Sequence, residues 1–373
     1  NTRLQVEHPV TELTTGLDLV EWQMRVAAGE PLPWQQHELR QQGWAIEARV
    51  NAEDPAARFA PALGPVLDYA EPALNGVRID SGIDARSEVT PHYDSLVAKV
   101  IGHGATRAAA RRRLEQGLQQ LRVGGLKTTQ PLLLDVLRHP AFDDVLDTGF
   151  LPRHWPEGWQ SETTLLHEAR AVAASAWLHA QRPPGDDRPL SALQGWRITA
   201  PVDGPGRCHL AVHDGAQAHT LVLRVSAAGT DVTCDGAALR VEHGADGHWR
   251  CAGSERAFRA QVAADAVRLW CAGWSATLQV GTAVARAASA ATAATQEHVL
   301  RADLPGVLAQ LLVGAGEHVR AGAPLAVLEA MKLFHTLNAP CDGVVRALPV
   351  APGATVAQGA TLIEFEPLTL GDA

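Results

Sequence analysis

Lysine is nearly missing from this chain. Of its 32 Lys and Arg residues, only Lys99, Lys127 and Lys332 are lysines. Positive charge is therefore carried almost everywhere by guanidinium groups, which stay protonated and make poor nucleophiles. A lysine kept in such a chain points to a place where a primary amine is needed for attachment. Cysteine pairing is missing too: Cys208, Cys234, Cys251, Cys271 and Cys341 form no Cys-x-x-Cys pair, which argues against a disulfide framework and for free thiols in a reducing cytoplasm. No apolar run reaches the ~18 residues needed to span a membrane, and no secretory signal is present. A basic excess is also lacking. The net charge of −9 and pI near 6.0 argue against a nucleic-acid binder. The local cluster Arg107, Arg111, Arg112 and Arg113 reads as the solvated face of a helix.

What is present is a globular composition, 46% hydrophobic and 20% charged over 373 residues, enough for two or three domains. Near the C-terminus runs a repeat 37 residues long. Leu304-Pro305-Gly306-Val307 pairs with Cys341-Asp342-Gly343-Val344, and the register continues through Val313/Val350, Gly316/Gly353, Val319/Val356, Gly322/Gly359, Leu325/Leu362 and Glu329/Glu366. Alternating valines with recurrent glycines predict short strands joined by turns. Two units are too few for a solenoid, so the repeat predicts a small closed two-fold β-sandwich. Lys332 then falls at the hairpin that joins the halves.

Glu329-Ala330-Met331-Lys332 at the midpoint of a two-fold β-domain resembles the biotinyl (biotin carboxyl carrier) family over residues 299–367. The related lipoyl domains usually carry an acidic residue just before the modified lysine, where this chain has Met331. Leu333 stands where many members have a second Met, a volume-conserving swap. The resemblance implies biotin attached covalently to Lys332, by a biotin protein ligase, within the motif Glu329, Ala330 and Met331.

At the other end, Thr2–Glu7 alternates Leu4 and Val6 with Arg3, Gln5 and Glu7, which predicts a strand with three polar side chains on one face. Ile46, Ala48 and Val50 alternate with Glu47, Arg49 and Asn51 in the same way. A cation, an amide and a carboxylate in line can bind a small oxyanion and take its proton. Asn1–Glu12 (NTRLQVEHPVTE) resembles the signature that closes the ATP-grasp half of biotin carboxylase, and Glu47–Asp54 resembles the following C-terminal segment. Pro91-His92-Tyr93-Asp94-Ser95 is similar to a third block, usually written with two tyrosines, where His92 departs. The resemblance implies that Arg3, Gln5 and the backbone of Val6 bind bicarbonate and that Glu7 is its general base. It also implies that Arg49 stabilises negative charge on biotin, so that with Arg49 the set cradles bicarbonate and then biotin. Asn1 would lie by the Mg2+ (or Mn2+)–ATP site. Because the chain opens at Asn1 inside this motif, it reads as the later part of a longer protein. The acidic metal ligand, the glycine-rich phosphate loop and the ATP lysine are expected before it, and the fragment is expected not to cleave ATP alone. Elsewhere in this region Leu17, Val20, Met24 and Ala27, ended by Gly29, predict one amphipathic helix, and Leu114, Leu118 and Leu121 another.

Between the two ends, Leu165, Leu166, Ala169, Val172, Ala173 and Trp177 fit one apolar face of a helix stopped at Pro183-Pro184-Gly185. Turn pairs at 203–204, 214–215, 235–236 and 246–247, and Gly273, then separate strand-like runs at 220–225, 258–262, 267–271 and 275–280, predicting an antiparallel barrel. His209, His213, His219, His243 and His248 show no pairing and read as surface residues. A helix plus barrel in this position resembles the subunit-contact domain of acyl-CoA carboxylase α subunits. The expected architecture is multidomain α+β: 1–156, the end of an ATP-grasp biotin carboxylase with its C-terminal domain; 157–285, helix plus barrel; 286–298, an Ala/Thr-rich linker; 299–367, the biotinyl sandwich. The implied function is ATP- and bicarbonate-dependent carboxylation of biotin, then carboxyl transfer to an acyl-CoA on a carboxyltransferase β subunit. That makes the expected enzyme a carbon–carbon ligase, with no membrane or nucleic-acid partner. The compact interval favours the methylcrotonyl-CoA branch of leucine degradation over propionyl-, acetyl- or geranyl-CoA enzymes. It is too short for the ~250-residue TIM barrel of a pyruvate carboxylase. A non-catalytic biotinyl or lipoyl carrier is the alternative, disfavoured by Arg3, Glu7 and Arg49.

Overall fold

The computed structural model describes residues 3–144, 146–181, 207–214, 217–226, 229–282, 299–302, 306–330, 333–340, 342–357 and 359–367. The linker, the helix-stopping Pro183-Pro184-Gly185, Asn1, Met331, Lys332 and Cys341 lie outside them. Three hydrophobic cores organise the chain.

The N-terminal segment departs from expectation. Arg3–Glu7 is not a strand; it turns at Val6–Glu7 and runs straight into helix α1 (His8–Thr15). Two causes are visible. Pro9 sits in the first turn of α1, where its fixed φ favours helix, and no described strand lies alongside to take up ladder hydrogen bonds. The alternation survives nonetheless, with Leu4 and Val6 half-buried and Arg3, Gln5 and Glu7 exposed. Helix α2 (Leu19–Ala27) forms behind an Asp18 cap that accepts from the Glu21 N–H. None of its residues is buried, however, and Met24 and Val20 face outward.

Strands β1 (Trp44–Asn51), β2 (Val77–Ser81) and β3 (Leu96–Gly104) form an antiparallel sheet in the order β1-β3-β2. The strand expected over Glu47–Asn51 is therefore present. Its apolar face (Ala48, Val50, with Ala98 and Val100 of β3) packs on helix α3 (Arg107–Gln120), which buries Leu114 and Leu118. Helices α4 (Gln130–Arg138) and α5 (Phe150–His154) complete the region. The arginines of α3 are not all solvated. Arg107 and Arg111 both bond Asp143, and their guanidinium carbons lie 4.8 and 5.8 Å from the Phe142 ring centroid. The turn Pro140–Asp143 folds back over that face, and of the four arginines only Arg112 is left exposed.

Helix α6 (Thr163–Ala180) is enclosed by the next eight strands. These are β4 (Arg207–Asp214), β5 (Gln217–Ser226), β6 (Gly229–Cys234), β7 (Ala237–His243), β8 (Trp249–Cys251), β9 (Arg259–Ala263), β10 (Ala266–Cys271) and β11 (Trp274–Thr282). Their order is β8-β7-β6-β5-β4-β11-β10-β9, and reciprocal Trp249–Phe258 backbone bonds of 2.8 Å link the ends into a barrel. The helix touches all eight strands. Consequently it lacks the single apolar face read from sequence. Glu168 through Ala176 are buried without interruption, because alanine is small enough to approach strands on every side. The two charges in this run are paired: Glu168 lies 3.3 Å from Arg256, and Arg170 lies 3.4 Å from Asp235 and 3.8 Å from Asp214. Such pairing is what burial of charge demands. One barrel histidine differs from the surface reading, since His219 is largely buried and bonds Asp235 at 2.8 Å, whereas His243 stacks on Trp249 and stays exposed.

The C-terminal core has the expected two-fold form. Strands β12 (Val299–Arg301), β13 (Gly306–Leu311), β14 (His318–Val319) and β15 (Pro324–Ala330) are followed by β16 (Leu333–Asn338), β17 (Gly343–Ala347), β18 (Thr355–Val356) and β19 (Thr361–Pro367). They make two four-stranded sheets, β12-β19-β17-β14 and β16-β15-β13-β18. Each sheet maps on the other under the 37-residue shift. Core residues correspond likewise: Leu308 with Val345, Leu325 with Leu362, Leu328 with Phe365. The turn glycines match in conformation, with φ of 84° and 87° at Gly316 and Gly353, and 82° and 80° at Gly322 and Gly359. Among the described residues no helix is long and apolar enough to cross a membrane.

The barrel is locked on the first region through the β10–β11 turn. Ser275 Oγ lies 3.2 Å from the Val123 carbonyl oxygen, and a Cβ on Gly273 would fall 2.6 Å from Leu134 Cδ1 and 3.0 Å from the Leu118 carbonyl. Gly273 also has φ +84°, so both space and conformation require glycine. Gly273→Val should cost about 1–3 kcal/mol and speed hydrogen exchange around residues 118–134 and 270–275. Parental protection in that variant would refute the lock.

Candidate active site

The polar face of the β1-β3-β2 sheet gathers the titratable side chains. Cross-strand register sets Arg49 opposite Lys99 and Lys99 opposite Asp80, while Glu47 and Arg78 both pair across Ile101. Helix α1 lies over this face and is tied to it by charge. Arg78 Nη1 donates to Glu12 Oε2 at 2.7 Å, His8 Nδ1 is 3.1 Å from Glu12 Oε1, and His8 Nε2 is 3.4 Å from Lys99 Nζ. Lys99 is also 3.1 Å from Asp80, which Arg78 bonds at 2.8 Å.

The helix brings Glu7 to Arg49. Glu7 Oε2 and Arg49 Nη2 are 3.9 Å apart, both more than half exposed. Beneath them Glu47 Oε1 stands 3.9 Å from Arg49 Nε with its side chain only 7% exposed, and Glu47 Oε2 is buried without a partner. Burial pushes the Glu47 carboxyl above its usual range, against the opposing charges of Lys99, Arg49 and His8. Glu12 and Asp80 go the other way. Burial would raise both, but bonds from Arg78, with His8 and the Leu19 N–H for Glu12 and with Lys99 for Asp80, hold them below the ordinary carboxylate value.

Among the residues singled out from sequence, the structure thus joins Glu7 and Arg49. Arg3 and Gln5 stand exposed on the same stretch, and the Gln5 carbonyl accepts from the His8 N–H at 3.2 Å. The segments 47–54 and 91–95 are sewn together: Ser95 Oγ donates to Glu53, Asn51 Nδ2 donates to both, and the Ala52 N–H donates to the Ser95 carbonyl at 2.8 Å. Sequence reasoning gave no site role to Glu47, Lys99, Asp80, Arg78, His8 or Glu12. The signals open to it were the rarity of lysine at Lys99 and the position of Glu47 two residues before Arg49 on one strand face. At the carrier end, Ala330 pairs with Leu333, so positions 331 and 332 form the connection between paired residues. Glu329 is half-buried and, with Gly306, Val307 and Thr355, lines a cleft of about 430 Å3 shared with Pro91–Asp94. Among the described residues no group of three or more His, Cys, Asp or Glu side chains gathers to hold a metal.

Residues 47–153 match the family model of the biotin carboxylase C-terminal domain, residues 300–365 that of the biotin-requiring enzymes, and residues 1–35 that of the carbamoyl-phosphate synthase L chain ATP-binding domain. With the sheet, the barrel and the two-fold sandwich in this order, the chain belongs to the biotin-dependent carboxylases. It is similar along nearly its whole length to acyl-CoA carboxylase α subunits. The mitochondrial methylcrotonoyl-CoA carboxylase subunit alpha of Mus musculus is 32% identical over 98% of this chain and 53% of its own. The mitochondrial propionyl-CoA carboxylase alpha chain of the same species is 32% identical over 91% of this chain and 48% of its own. Biotin carboxylase of Halalkalibacterium halodurans is 48% identical over 41% of this chain and 34% of its own. The chain spans about half the length of the α subunits it matches.

The ion pairs under α1 carry a pH consequence. Because the Glu12 and Asp80 values are depressed on folding, their contribution is complete above the unfolded values of 4.5 and 3.8. It fades as pH falls through the lower folded values. Amide exchange in residues 10–15, corrected for intrinsic rate, should therefore accelerate on acidification below that range. In Arg78→Ala the same amides should already exchange faster at pH 7. Equal protection in the variant and the parent would show that charge does not pin α1.

Proposed function

We propose that this chain supplies the carboxylation site and the biotin carrier of an acyl-CoA carboxylase, with the carboxyltransferase on a separate β subunit. The observation that carries this reading is the meeting of Glu7 with Arg49 over the buried charge network. Glu7 is exposed, so it can reach the proton of a bicarbonate ion lying between it and the cations. Arg3, Gln5 and the Val6 backbone present donors on the same stretch to orient that anion, and Arg49 offers fixed positive charge where negative charge develops. A non-catalytic carrier has no use for such a set.

Lys332 is the attachment point in this proposal. The Ala330–Leu333 pair, with Ala330 buried and Glu329 half-buried, puts Lys332 in the two-residue connection between paired strands, a position that suits a lysine recognised by a biotin protein ligase. Biotin bound there supplies a ring nitrogen that accepts and carries a carboxyl group. ATP would provide the driving force. Mg2+ bound with the nucleotide, with Asn1 beside it, would neutralise charge on the phosphates. The barrel offers a partner-binding body without catalytic groups, and its thiols are inert, Cys234 and Cys271 pushed by burial to about 11 and Cys251 to about 12. Among the described residues, the buried thiols of Cys234, Cys251 and Cys271 form no disulfide, which supports a reducing, cytoplasmic setting. For the acyl group, methylcrotonyl-CoA is favoured over propionyl-CoA. The compact middle region and the longer alignment with the methylcrotonoyl enzyme, at equal identity, support that order.

Two experiments test this. Intact mass after co-expression with a biotin ligase should show one biotinyl adduct, lost in Lys332→Arg; an adduct persisting there would sink the assignment. In a protein joining this chain to a complete ATP-binding domain, Glu7→Gln should abolish bicarbonate-dependent ATP cleavage, on the order of a hundredfold or more. Arg49→Ala should depress biotin carboxylation more than that cleavage. Full activity in Glu7→Gln removes the base role, and equal losses in Arg49→Ala reduce it to a structural residue.

A further inference from the structure

Glu47 is a buried carboxylate with one oxygen unpartnered, an arrangement that costs free energy and calls for a physical reason. Its strand supplies one. Glu47 and Arg49 are two residues apart on β1 and so project on the same face, with Glu47 beneath and Arg49 above. Glu47 Oε1 faces the Nε edge of the guanidinium at 3.9 Å, and the Nη2 edge faces Glu7, also at 3.9 Å. A planar guanidinium held at one edge has its other edge fixed in direction. Arg49 is more than half exposed, and of the two carboxylates that stand 3.9 Å from it only Glu47 is buried, which makes it the more rigid anchor.

We propose that Glu47 is the positioning residue for Arg49: it holds the Nε edge from below so that the Nη edge stays turned to Glu7 and to the anion between them. The proposal rests on the carboxylase reading above. Other charges on this face are already committed. Lys99 of β3 faces Asp80 and His8, Arg78 of β2 holds Asp80 and Glu12, and His8 and Glu12 of α1 face one another. Glu47 is the carboxylate of β1 left to serve Arg49. Protonating it would release the guanidinium, so the anchor works only while Glu47 is ionised. Because burial raises the pH at which Glu47 ionises, this release begins at a higher pH than for an exposed glutamate.

Two measurements test the proposal. The first needs no enzymatic activity: arginine modification by phenylglyoxal on this chain, followed residue by residue by peptide mass spectrometry. Glu47→Gln and Glu47→Ala should speed modification of Arg49 several-fold, Glu47→Asp should restore part of the protection, and Arg3 and Arg58 should react as in the parent. An unchanged Arg49 rate in variants that melt like the parent would overturn the anchor. The second uses the protein joined to a complete ATP-binding domain. Glu47→Gln should lower carboxylation of free biotin about tenfold or more, with a smaller loss in bicarbonate-dependent ATP cleavage. The acid limb of its pH profile should also flatten, because the titrating group is gone. An acid limb identical to the parent's would overturn the proposal. An altered Arg49 rate in a protein that does not carboxylate biotin would uphold the anchor and refute the function assigned to the site.

Discussion

The strand Trp44–Asn51 faces two ways, and most of the first region depends on that alternation. Ala48 and Val50 enter the core beneath α3, while Glu47 and Arg49 enter the charged face beneath α1. A slip of one residue in its pairing with β3 would bury an arginine and expose two core side chains at once. The register is therefore enforced by the core, and the site inherits its geometry from a hydrophobic requirement. Polar contacts tie α1 to the other face of the same sheet, Arg78 to Glu12 and Lys99 to His8. The helix that carries Glu7 is thus tied by charge to one side of the sheet, and α3 packs by apolar burial on the other.

Much of this was legible in the sequence. The period of two in Glu47–Asn51 and the 37-residue repeat each follow from local pattern alone, and both elements formed with their residues on the expected faces. The Asn1–Glu12 motif singled out Glu7, which the structure brings to Arg49, but not the backbone that carries it. Alternation in Thr2–Glu7 looked like a strand, yet a strand needs a neighbour, and Pro9 starts a helix instead. Glu47, Lys99 and Asp80 were invisible as a cluster because they come from three strands, and only the register of those strands unites them.

The middle region shows a different limit. Helical periodicity distinguishes an inner from an outer face, but α6 has no outer face. Its alanines read as weakly apolar positions on a conventional helix, and Glu168 and Arg170 look like solvent-facing residues, until the barrel supplies partners for both charges. The carrier is the converse case, where each half predicts the other and the shared core of Leu308, Leu325, Val345 and Leu362 closes on itself.

Enclosing a helix in eight strands has an evolutionary consequence. The radius of the barrel is set by alanine, and Ala171, Ala173 and Ala174 have no exposed surface. Any larger side chain there would press on the surrounding strands. The interior is thus a fixed bearing that tolerates little drift, and heritable novelty in this part of the chain must be written on outward-facing strand positions and the turns between them. Those are the surfaces that a second protein would meet.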